Sequence, residues 1–180
     1  MKTNTPLSHI RVLNIGIAWA GRVASMLLAE QGAEVIEVVR PGRKSHPADP
    51  VLDRSKRLLE LDMKQSSGRE QIINLAKTAN VIIENMRPGV AERLGLGYEQ
   101  LGGDTSGLVY ISLPGFAVGD PRRDDAAWEG SIAGATGVYT DLSTLGRLIG
   151  SPPIYTGIPM ASAYGGILGA TTAGLGFLGY

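Results

Sequence analysis

The chain contains no cysteine, which removes disulfides, thiolate metal sites and a cysteine nucleophile together. Histidine is scarce: only His9 and His46 occur, both in polar segments. Neither has the serine and carboxylate arrangement of a hydrolytic triad around it. No metal is expected, because His and acidic residues never fall at metal-ligand spacing. An excess of charge is also missing, since 17 Lys and Arg balance 17 Asp and Glu. Without a basic patch, nucleic acid is not an expected partner. The segment from Met1 to His9 is polar and carries Pro6, so it does not read as a signal peptide, and a reducing, cytoplasmic setting fits best. Finally, no Asp or Glu follows Asp141.

What is present is an alternation of strand and helix over 180 residues, enough for one domain with a sizeable core. Arg11 to Gly16 is the first strand candidate. Gly21 to Gln31 has Val23, Met26 and Leu27 at helical spacing, and Gly32 ends that helix. Glu34 to Val39 is a second apolar strand, broken by Arg40-Pro41-Gly42. Residues 43 to 57 are polar and basic and read as a surface loop. Leu58 to Leu61 is a short extended piece, and Ser67 to Ala79 is an amphipathic helix with Ile72, Ile73, Leu75 and Ala76 inward. Asn80 to Glu84 and Leu108 to Ser112 complete the strands. Helical crossovers of this length imply an α/β fold with a mostly parallel sheet.

Chemistry in such a sheet is expected at the carboxyl ends of the strands. The run Asn80 to Gly89 ends a buried strand with Asn85, Met86 and Arg87 before a Pro-Gly turn, either a ligand edge or an ordinary strand exit. The turn Gly16 to Gly21 with Glu37 about 20 residues on is a partial dinucleotide fingerprint. Ala18 replaces its middle glycine and Trp19 would crowd a pyrophosphate, so NAD(P) binding is the distant alternative. After the fourth strand, Leu113 to Asp125 forms a loop at the same edge. Arg122, Arg123, Asp124 and Asp125 read there as a solvated, self-neutralised cluster. Glu129 beside Trp128 is either a tuned general acid–base or a first-turn glutamate favoured by the helix dipole.

Taken in order, several segments resemble the class III CoA-transferases, the formyl-CoA and carnitine-CoA transferase group. They are Ile10 to Leu13, Leu28 to Gly42, Ser55 to Lys64, Glu84 to Gly89, Arg93 to Tyr98 and Ser112 to Phe116. The resemblance implies a Rossmann-like large domain with a mostly parallel sheet and flanking helices, of which residues 1–180 are the N-terminal part. The small domain is absent, so the fold is incomplete relative to the family. It also implies CoA or acyl-CoA as substrate with no permanently bound cofactor, a carboxylic acid as second substrate, and a homodimer or a partner chain supplying the rest of the fold. Trp19, Ala20 and Gly21 fill the loop that approaches the thioester. Arg40 matches an arginine at the CoA nucleotide. Leu61, Lys64, Asn85, Met86, Arg93 and Leu94 match positions lining the CoA site. Glu129 matches an acid that assists acyl transfer.

The departures from that pattern bear on catalysis. The family's nucleophile is an aspartate about ten residues before a Gly-Ile-Leu-x-Ala segment. Here Gly166 to Ala170 is that segment, and the nucleophile position is occupied by Thr156. A hydroxyl without an activating base is a poor substitute for a carboxylate. The histidine that related racemases carry near Trp128 is missing, and residues 43 to 53 are shorter than the usual loop. Ile154 to Tyr180 carries no charge and reaches membrane-span length, but Pro159 and its glycines favour a buried helix of the large domain, so no membrane is expected. The expectation is therefore a CoA-transferase truncated to half an enzyme, or a non-catalytic CoA-ester-binding relative.

Overall fold

The computed structural model describes residues 5–102, 107–141, 148–150 and 152–178. The first four residues of the polar N-terminal segment and the last two of the uncharged run lie outside them. Five strands form one sheet: β1 (Arg11–Asn14), β2 (Glu34–Val39), β3 (Lys56–Glu60), β4 (Val81–Glu84) and β5 (Val109–Ser112). Their order is β3-β2-β1-β4-β5 and every pairing is parallel. Between them run α1 (Trp19–Glu30), α2 (Asp49–Leu52), α3 (Ser66–Ala76), α4 (Val90–Arg93) and α5 (Tyr98–Leu101). After β5 come α6 (Glu129–Ala135), α7 (Val138–Asp141) and α8 (Met160–Leu178). This is the parallel α/β architecture that the alternation implies, and it is Rossmann-like as the family resemblance implies.

The central strands are apolar throughout because helices cover both faces of the sheet. On one face Leu13, Val38 and Ile82 pack with Ile72 and Ala76 of α3. On the other, Val12, Val35, Val81 and Ile83 pack with Ala24 and Leu28 of α1 and Ala173 of α8. The helix α1 stops where Gly32 takes a φ of 98°, a conformation that costs glycine nothing. Gly89 at φ 76° turns the chain out of β4 in the same way.

Two elements differ from the sequence reading. β3 begins at Lys56 rather than Leu58, because its register against Val35–Val39 is set by β2 and not by its own polarity. The stretch read as a surface loop before it contains α2, a single turn begun at Asp49-Pro50, too short to show periodicity. No helix among the described residues is long and apolar enough to cross a membrane.

α8 is buried on one face only. Gly166 and Gly169 lie against Val23 and Ala24 of α1, and Gly176 against Val109 of β5. On the other face Tyr164, Ile167, Leu168 and Leu175 are exposed. The glycines let the helix approach closely: a Cβ on Gly166 would stand 2.5 Å from Val23 Cβ and 2.9 Å from the Ala20 carbonyl oxygen. Gly166→Ala is therefore expected to destabilise the chain by about 1–3 kcal/mol through overpacking. Gly174→Ala, where a Cβ meets nothing within 4 Å, is expected to gain up to about 1 kcal/mol of helix propensity. Urea denaturation of both variants checks the contrast.

Candidate functional site

The carboxyl ends of β1, β2 and β4 converge on the loop between β1 and α1. Asn14, the last residue of β1, is fully buried, and its Oδ1 accepts the Gly16 N–H at 2.9 Å. Asn85, just past β4, accepts the N–H groups of Ile17 at 2.7 Å and Ala18 at 3.3 Å. Two side-chain oxygens thus occupy three consecutive loop N–H groups. In a dinucleotide fold those groups face the pyrophosphate, and here they are committed.

Glu37, the acid of the partial fingerprint, is committed as well. It is 1% exposed, and Asn14 Nδ2 donates to both of its oxygens at 2.9 Å. The ammonium of Lys56 donates to Glu37 at 2.9 Å, to Ser25 Oγ at 2.7 Å and to the Arg22 carbonyl at 2.8 Å. Burial lowers the Lys56 pKa, and the Glu37 charge works against that shift. A buried ion pair holds only when its remaining donors and acceptors are satisfied, and Ser25 and Asn14 do this. Glu37 borders the cleft beside it, but its oxygens are already taken by Asn14, Ser25 and Lys56, so neither anchor of the nicotinamide reading is free for a ligand.

Beside this network lies a cleft of about 610 Å³, lined by Trp19, Arg22, Val39, Arg40, Arg43, Lys44 and Met63 among others. Arg22 Nη2 binds Asp49 at 2.7 Å and Asp53 at 2.6 Å, and Arg43 binds Asp53 at 2.5 Å. These contacts tie α2 and its preceding loop to α1. Burial alone would raise the Asp53 pKa, but the hydrogen bonds and charges of Arg43 and Arg22 outweigh it and hold the carboxyl below its ordinary value. Trp19 meets His46 of the same loop edge to face, with ring centroids 5.2 Å apart. Arg40 and Lys44 make no ion pair among the described residues, so they are the cleft's uncompensated cations.

The remaining residues singled out from sequence fall into separate places. Trp19 and Arg40 share the cleft, and Ala20 follows in the first turn of α1. Leu61 and Met86 are buried in one apolar cluster, against which Leu94 packs. Lys64 and Arg93 are exposed. Glu129 receives the N–H of Ala161 at 2.8 Å, the N–H of Ser162 at 2.9 Å and the Ser162 hydroxyl at 2.7 Å. Its carboxylate therefore anchors the start of α8. Thr156 lies upstream of α8, its hydroxyl accepting the Ile158 N–H at 3.2 Å.

The hydroxyl brought to Glu129 is that of Ser162, which sequence reasoning did not single out. Asn14, Lys56, Asp49 and Asp53 were also not singled out as site residues, because nothing local marks them. Glu84 at the end of β4 is buried and accepts the Met86 N–H at 2.7 Å. Burial raises its pKa, while Ser112 and the Met86 amide pull it back. In the loop after β5, Arg122 pairs with Asp120 rather than with its acidic neighbours Asp124 and Asp125.

A parallel sheet covered by helices on both faces, with a cleft at its carboxyl edge, defines an α/β fold of the Rossmann-like kind. Within that class, the chain belongs to CoA-transferase family III, which it matches over residues 7–177. It is similar to the CoA-transferase/lyase DddD of Marinomonas sp. (strain MWYL1), 36% identical over 173 residues, covering 94% of this chain and 21% of that protein. It is similar also to the succinyl-CoA–D-citramalate CoA-transferase of Chloroflexus aurantiacus, 34% identical over 186 residues, covering 96% of this chain and 44% of the relative. Among solved structures, a mutant of Rv3272 from Mycobacterium tuberculosis superposes with a TM-score of 0.83 at 27% identity. That match covers 97% of this chain and 50% of the other. The chain thus spans half or less of the length of these relatives.

The charge latch around Asp53 has a pH signature. A carboxyl held below its ordinary value contributes stability that is fully present above about pH 4. That contribution is lost as pH falls through the lower folded value. Asp53→Asn is expected to cost about 1–3 kcal/mol near neutrality, as loss of hydrogen bonds between charged groups does. Melting temperatures of both proteins from pH 7 to pH 2 should differ at the upper end and converge at the lower.

Proposed function

We propose that this chain is the CoA-binding half of an enzyme that transfers CoA between an acyl-CoA and a carboxylic acid. Its fold is completed by a second copy or by a partner chain. The observation that carries this reading is the cleft at the ends of β1 and β2. There the inner charges are neutralised in pairs, while Arg40 and Lys44 remain uncompensated beside Trp19 and Met63. Cations beside an aromatic and a thioether suit a phosphorylated nucleotide, whose anionic groups the first neutralise and whose base the second flank. The family membership supplies CoA as the nucleotide. In this reading Ala20 and the loop before it approach the thioester, and Asn85 lies beside it. Lys64 and Arg93 add charge along the same edge. Leu61, Met86 and Leu94 back the edge from the core.

A second reading is favoured by one specific feature, namely Thr156 at the nucleophile position with no acid after Asp141. The chain is then a CoA-ester-binding portion without covalent chemistry of its own, paired with an active partner. The exposed face of α8, with Tyr164, Ile167, Leu168 and Leu175, supports the need for such a cover in both readings.

The two readings separate in one pair of measurements. Calorimetry with CoA is expected to show binding that weakens about tenfold in Arg40→Ala, equivalent to ~1.4 kcal/mol. Incubation with an acyl-CoA, removal of the free thioester and then addition of hydroxylamine yields a hydroxamate on the protein itself if an enzyme thioester forms. Binding without any trapped species leaves the non-catalytic reading, and absence of CoA binding removes both.

A further inference from the structure

The N–H groups of Gly16, Ile17 and Ala18 lead into the start of α1, where donors have no partner within the helix. Asn14 closes the first of them locally, since it stands at the end of the strand from which the loop emerges. Asn85 is different. It comes from the end of β4, far away in sequence, and its one carbonyl oxygen takes both Ile17 and Ala18. A carboxamide oxygen has two lone pairs, so this oxygen is fully spent on the loop. The loop can come this close because Gly16 has no side chain: a Cβ there would lie 2.8 Å from Asn85 Oδ1 and 2.9 Å from Asn14 Oδ1. Helix α1 has no side-chain cap hydrogen bond at its N-terminal Ala18, so the Asn85 contact is the side-chain tie at the entry to its first residue. That residue is Trp19, which lines the cleft with Arg40 and touches His46.

We infer that Asn85 is a positioning residue: its carbonyl oxygen clamps the β1–α1 loop to the end of β4 and so sets where Trp19 stands in the cleft. Its effect on a bound ligand passes through the loop. The inference rests on the CoA reading only for its affinity readout, because the clamp can be measured without ligand.

The test uses the full chain in a Trp128→Phe background, so that Trp19 is the sole tryptophan. Asn85→Ala is expected to raise the exchange rates of the Ile17 and Ala18 amides by about tenfold or more, as loss of a protecting hydrogen bond does, and to shift Trp19 emission. Gly16→Ala, which forces the same two groups apart from the other side, is expected to do likewise. The double variant should be no worse than the worse single one in exchange, emission and CoA affinity, because partners in one contact are not additive. Asn85→Asp, which keeps an acceptor oxygen at the same place, should restore amide protection. Unchanged protection in Asn85→Ala overturns the inference, and so do additive losses of CoA affinity in the double variant. If the parent chain binds no CoA, the functional reading falls while exchange and emission still decide the clamp. If Asn85→Ala does not fold, Gly16→Ala alone must loosen both amides, and failure to do so also overturns it.

Discussion

Burying the Glu37 carboxylate obliges the rest of the sheet's carboxyl edge to be arranged around it. An uncompensated charge in the interior costs several kcal/mol, so Glu37 must find a cation and further donors without leaving β2. Lys56 supplies the cation from the first residue of β3, and Asn14 supplies two hydrogen bonds from the last residue of β1. Ser25 brings α1 to the same point. One side chain thereby joins three neighbouring strands to the helix that covers them. Losing any one partner leaves the others buried and unsatisfied, which couples strand register to helix placement.

That arrangement also sets the charge balance of the cleft. Because Glu37 is neutralised inside and Asp49 and Asp53 are neutralised by Arg22 and Arg43, the acidic groups near the cleft exert little net field. The cations without partners then dominate. Fields from a few unpaired charges at the mouth of a cleft attract oppositely charged ligands. The same pairing that stabilises the edge therefore gives it a sign.

Much of this fold could be read from the chain, and the reason is physical. Apolar β-branched runs ended by Gly or Pro mark buried parallel strands, and four of the five strands, β1, β2, β4 and β5, lie where those runs occur. β3 was harder, because Lys56 and Arg57 are polar and become strand only by pairing with β2. α2 is one turn and leaves no period. At the strand ends, Asn85 stands out because the fold class places such residues at the ligand edge, whereas Trp19 and Arg40 stand out through the family resemblance; the structure puts the last two in one cleft. The contacts of Lys56 with Glu37 and of Arg22 with Asp49 and Asp53 could not be read from the chain. They join residues 19, 27 and 31 positions apart, and no local pattern encodes which charges meet. Counting back from Gly166 along the family resemblance leads to Thr156, while Ser162, whose hydroxyl reaches Glu129, carries no signal of its own in the chain.

The Glu129 contacts bear on whether binding and chemistry reside in one chain. A carboxylate used as a proton acceptor needs a lone pair directed at the reacting group. Here Glu129 Oε1 receives the Ala161 N–H, and Oε2 receives both the N–H and the hydroxyl of Ser162. Two of these donors are backbone groups at the start of a helix of 19 residues, and releasing them would loosen the seat of α8 on α6. In this arrangement the glutamate serves the helix first. The opposite face of α8, with Tyr164, Ile167, Leu168 and Leu175, is exposed. The contacts of Glu129 thus tie the first turn of α6 to the first turn of α8.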